Sequence, residues 1–159
     1  MKSAKLIALS LLSSSVAFAA PNLRSGEYRV TGDITLNSLN QTTTLGSGGF
    51  KLQAKGGQVK LECGILGNLV GYNQDGSLNF RHTLACDDHS VFVLNTHTVV
   101  TPQSTCPARP GAIVGTFHEE SDILGVDGPF AGSSGLVSID GSINCGFNDM
   151  QARGTLTLP

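Results

Sequence analysis

The chain has 159 residues, with 10 basic and 12 acidic side chains, 20 glycines and no tryptophan. A net charge of −2, with no basic run and no basic–aromatic cluster, argues against nucleic acid or anionic membrane as a main partner. The length suits one domain with a real core, and glycine at roughly twice its usual ~7%, beside many Thr, Ser, Val and Asn, points to short strands joined by many turns.

Residues 1–20 read as an export signal. Lys2 and Lys5 give a positive start, Leu6 to Val16 is a short apolar run broken by serines, and Ala17-Phe18-Ala19 supplies the small residues read by a signal peptidase. Cleavage is expected after Ala19 or Ala20, leaving 21–159 as a single all-β domain, secreted or periplasmic. The apolar run is short for a bilayer span, which takes roughly 20 apolar residues, and no second one follows, so no membrane span is expected.

In chain order, residues 26–36 alternate: Tyr28, Val30, Ile34 and Leu36 on one face, Arg29, Thr31, Asp33 and Thr35 on the other. That is the period of a half-buried strand. Residues 42–45 suggest a short strand, which Gly46-Ser47-Gly48-Gly49 should end. Residues 50–63 read as a hairpin turning at Lys55-Gly56-Gly57. Residues 66–72 form a glycine-interrupted apolar strand, and Asn73-Gln74-Asp75-Gly76 is a turn signal. Leu78, Phe80, His82, Leu84 and Cys86 alternate cleanly. The corner Asp87-Asp88-His89-Ser90 leads to a β-branched strand at 91–100. A loop with three prolines and Cys106 covers 101–111, and 112–118 is the next strand. Glu119 to Asp122 is an acidic cluster, expected as a loop, with a short helix over 119–127 as the alternative. Strands at 136–140 and 152–158 complete the chain.

Eight to ten short strands in one domain must close into a single antiparallel β-barrel, largely a meander, or failing that split into a β-sandwich. The four cysteines, in an exported chain, suggest two disulfides. The alternative, a four-cysteine metal site, normally shows Cys-x-x-Cys pairs, whereas these gaps are 23, 20 and 39 residues. Tracing the meander up and down, with a turn at 64–65, puts Cys63 and Cys86 at one end and Cys106 and Cys145 at the other. It favours those two bridges among three connectivities.

The segment 123–141 contains Gly128, Phe130, Ala131, Gly132 and Gly135, a glycine-rich turn with an aromatic and small residues before a strand. This pattern resembles allene oxide cyclase-like and dirigent-like secreted barrels, from which Asp127 and Pro129 depart. His82 to Ser90 is similar to a strand, Asp-Gly-Ser, strand hairpin of that group, with His89 where glycine is usual. Over residues 78–141 the resemblance implies an eight-stranded barrel with an apolar cavity. It carries no catalytic residue, because the acidic and arginine site motifs of those proteins have no counterpart here.

The histidines are the main candidates for chemistry. His82 lies on an apolar strand face between Phe80 and Leu84, either as a satisfied core histidine or as a polar group inside a cavity. Phe80 and Tyr28 are the expected ligand neighbours. His118, Glu120 and Asp122, joined by His89 if the meander brings it near, would suit zinc or copper; the plainer reading is a solvated acidic loop. His118-Glu119-Glu120-Ser121-Asp122 is not a zincin helix, since Asp122 stands where histidine is required. Gly132-Ser133-Ser134-Gly135 is not a nucleophile elbow, and phosphate and dinucleotide loops are absent. Asn40-Gln41-Thr42 is a glycosylation sequon.

These features lead to one expectation: an exported, disulfide-stabilised barrel acting as a non-enzymatic binding module for a small apolar ligand or a protein partner, without a cofactor. The alternatives are a structural or surface-interaction protein, or secreted effector, and a barrel-type isomerase or cyclase using His82 as acid–base group.

Overall fold

A computed structural model describes residues 26–108, 112–145 and 150–158. The expected export signal at 1–20 therefore lies outside the described residues. The strands are β1 (Gly26–Ser38), β2 (Thr43–Ala54), β3 (Gly57–Tyr72), β4 (Leu78–Cys86), β5 (Val91–Thr105), β6 (Ile113–Asp127), β7 (Ser134–Ile143) and β8 (Met150–Leu158). Each pairs antiparallel with the next, and β8 returns to β1, closing the barrel. Closure leaves no unpaired sheet edge, which decides between barrel and sandwich.

Period-two alternation fills the interior. Tyr28, Val30 and Leu36 of β1, Leu61, Cys63 and Ile65 of β3, and Phe92 and Leu94 of β5 are buried, while Arg29, Lys60, Glu62 and Asn95 next to them are exposed. Each such apolar side chain contributes about 1.5–3 kcal/mol on burial. One end is stoppered by Phe130 on a single 3-10 turn (Gly128–Phe130), stacked on Phe92 with ring centroids 5.5 Å apart. Asp127 caps this turn through Gly128 N–H at 2.7 Å. Gly128 holds φ 75° against the backbone of His89, a place where a side chain would meet both strain and a clash. His89 is itself left-handed, φ 69°, a conformation that favours glycine.

The eight strands fall within the expected number but are longer than the turn signals suggest. Gly46–Gly49 does not end a strand: β2 runs straight through it, and Gly48 leaves space for the Phe50 ring, which would stand 2.9 Å from an added Cβ. The expected turn at 64–65 is absent. β3 continues from Gly57 to Tyr72 with one irregularity between Leu69 and Gly71. β5 extends to Thr105, so the proline loop starts later than expected. The acidic stretch 119–122 is neither loop nor helix but the middle of β6, because the alternation of Gly115 and Phe117 continues through Glu119, Ser121 and Ile123.

Both disulfides follow the meander pairing. Cys63 and Cys86 are directly opposite on β3 and β4, with Cα atoms 3.9 Å apart, and Cys106–Cys145 ties the end of β5 to the segment after β7 at 4.9 Å. Cys63 lies in the middle of β3 and Cys86 at the end of β4, so β3–β4 register, not a turn at 64–65, brings the cysteines together.

Candidate functional site

Two adjoining cavities occupy the barrel. The lower one, about 70 Å³, lies toward the Phe130 stopper. The upper one, about 90 Å³, is bordered by Leu36, Phe80, His82, Val100, Phe117 and Glu119 among others. Phe50, Leu84, Leu94 and Ile139 line both and form the waist between them. The Phe50 ring reaches this waist because Gly32 and Gly48 present no side chains beneath it. At ~15 Å³ of such space per water-sized group, the upper cavity has room for a group of about one ring.

The walls are almost wholly apolar, and their few polar groups sit at chosen points. His82 points inward from β4, stacked on Phe80 at 5.5 Å between ring centroids. Gly67, its partner on β3, makes room for it: the imidazole Nδ1 and Thr44 Oγ1 would lie 3.0 and 2.6 Å from a Cβ at that position. The buried Nε2 of His82 has no hydrogen-bond partner among the described residues. Burial with no compensating charge lowers its pKa to about 4, so the ring is neutral at physiological pH.

Glu119 enters the same cavity from β6. Its Oε1 accepts a hydrogen bond from Thr98 Oγ1 at 3.2 Å. Burial drives its pKa up to about 7, outweighing the Thr98 bond and the attraction of His118, both of which lower it. His82 and Glu119 retain some accessible area, but that area lines the cavity. The β5 partners of the two are Leu94 and Thr98, four residues apart, so they address the cavity from separate points. Between those levels Thr96 and Ser121 satisfy each other at 2.8 Å.

Of the residues anticipated for ligand contact, Phe80 and His82 line the upper cavity. Tyr28 packs in the core cluster with Val30, Leu52 and Leu156 and borders neither cavity. The anticipated metal group does not assemble. His89 sits at the β4–β5 corner beside Val91, which pairs with Asp127, whereas His118 pairs with Val99. Eight residues along β5 separate those levels, roughly 25 Å. His118, Glu120 and Asp122 do share the outer face of β6, but His118 Nδ1 meets Asp140 Oδ1 at 2.8 Å and Nε2 faces Glu120 at 3.6 Å. The Asp140 hydrogen bond, more than any other effect, raises the His118 pKa. Among the described residues no three His, Cys, Asp or Glu side chains are placed to hold a metal ion.

Glu119 is the cavity residue that its charge and its exposed neighbours Glu120 and Asp122 conceal in the sequence. The available signal was the phase of Phe117 and Ile123, which puts residue 119 on their inward face. Asn40 of the sequon lies exposed at the β1–β2 turn, its Oδ1 accepting from Thr42 and Thr43 N–H at 2.8 Å. No helix of the described residues is long and apolar enough to cross a membrane. Two disulfides are compatible with an oxidising, exported setting. Comparison with protein-family models, with curated proteins and with solved structures finds no match.

Proposed function

We propose that this protein is an exported binding module whose barrel interior takes a small, largely apolar ligand. The observation that carries this reading is the buried Nε2 of His82, left without a partner among the described residues at an apolar cavity. A buried polar atom without a bond costs about 1–3 kcal/mol, a cost that a ligand hydrogen bond would offset. Apolar walls with a few placed polar groups are the usual composition of a small-molecule site. The expected export signal at 1–20 and the two disulfides fit a role outside the cytoplasm. The separate positions of His82 and Glu119 favour holding a ligand over passing a proton between neighbouring atoms, which an isomerase would require.

Native mass spectrometry of the oxidised protein, before and after denaturation, tests the reading. A defined extra mass lost on denaturation supports it and identifies the ligand. A bare polypeptide mass that also gains nothing from added small apolar compounds overturns it in favour of a structural or partner-binding role.

A further inference from the structure

The cavity carries an acid without a Lys or Arg beside it among the described residues. Every Lys and Arg among the described residues is exposed and none borders the cavity, so none can neutralise Glu119. Thr98 from β5 bonds Glu119, and the groups that share its cavity include Ile139 from β7, His82 and Phe80 from β4, and Ile34 and Leu36 from β1. His82, the one titratable group among them, is neutral. His118 is on the other face of β6, bonded to Asp140. The carboxylate thus has one neutral hydrogen bond, the attraction of His118 from the outer face, and no Lys or Arg beside it among the described residues.

An ionised carboxylate in such surroundings is unfavourable until a positive group joins it. A neutral ligand would desolvate the carboxylate further, whereas an ammonium supplies the missing charge and up to three N–H donors. His82 Nε2, in the tautomer that leaves it unprotonated, offers a second acceptor in the same chamber. Resting on the reading of the barrel as a binding module, we propose that its ligand is a small apolar amine of about one ring, the ammonium held by Glu119 and the apolar body by Phe80, Val100 and Phe117.

Benzylamine and benzyl alcohol are matched probes, alike in shape and differing in charge. Each is titrated into the full oxidised chain at pH 8, and into Glu119→Gln, with amide chemical shifts as the readout. The expected result is that benzylamine binds at least tenfold more tightly than benzyl alcohol to the wild type. Glu119→Gln should remove that preference while still binding benzyl alcohol, which shows that the cavity is intact. Benzyl alcohol binding as well as benzylamine, or unchanged benzylamine binding in Glu119→Gln, overturns the amine assignment and leaves the binding module standing. If neither probe shifts the spectrum of either protein, the binding reading fails and the amine assignment fails with it.

Discussion

The two buried titratable groups make opposite contributions to stability, and substituting one exposes the other. Burial moves Glu119 from 4.5 to about 7 and His82 from 6.5 to about 4. The folded protein binds the Glu119 proton more tightly than the unfolded chain does, so stability present below about pH 4.5 is lost as pH rises to about 7. For His82 the unfolded chain binds the proton more tightly, so stability present above pH 6.5 is lost as pH falls to about 4. Each displacement corresponds to about 3 kcal/mol. Between pH 4.5 and 6.5 the two slopes cancel, and the pair leaves stability nearly flat there. Glu119→Gln removes one slope: the variant should exceed the wild type by about 3 kcal/mol at pH 8, with that advantage vanishing by pH 4. His82→Gln should do the reverse, with stability falling by about 3 kcal/mol from pH 4.5 to 7. Urea denaturation of the oxidised proteins, followed by far-ultraviolet circular dichroism from pH 4 to 8, measures both. Contributions from the exposed carboxylates drop out of the variant-minus-wild-type difference. A Glu119→Gln difference that does not change across that range would refute the argument that Glu119 is buried without a Lys or Arg beside it.

Replacing Cys63 and Cys86 by serine releases a loop closed across 23 residues and should cost about 3 kcal/mol; the Cys106–Cys145 pair, 39 residues apart, should cost about 4 kcal/mol. Equal denaturation midpoints with and without either bridge would contradict this. Phe130→Ala unplugs the stoppered end and should destabilise by about 3–5 kcal/mol, read from the same denaturation curves. A loss below about 1 kcal/mol would mean the ring does not seal the core in solution. Asp140→Asn should lower the His118 pKa, because the carboxylate hydrogen bond is the chief influence raising it. Nuclear magnetic resonance titration of the imidazole checks this, and an unmoved midpoint would show that the surface pair does not form.

Much of the architecture is legible in local patterns. The alternation of Tyr28, Val30, Ile34 and Leu36, and of Phe80, His82 and Leu84, specifies which side chains turn inward, since a strand has only two faces. Turn residues at 55–57 and 73–76 mark true reversals. Other glycines misled: Gly48 reads as a breaker in isolation, yet it sits within a strand because the Phe50 ring needs its empty face. Glu119 was obscured in the same way, its charge suggesting solvent while its phase placed it inside. The cysteine pairing came from the order of strands, although the register that joins Cys63 to Cys86 belongs to β3 running unbroken past it.

The sequence by itself determined an all-β chain, its inward faces and its two bridges, because period-two alternation and strand order are properties of neighbouring residues. Only the tertiary structure decided that β8 meets β1, that a cavity remains beside the Phe50 waist, and that His82 and Glu119 share it while His89 and His118 stay apart. Those outcomes depend on how eight strands stagger around a closed barrel and on how side chains from distant strands fill its inside, which no local window of residues records.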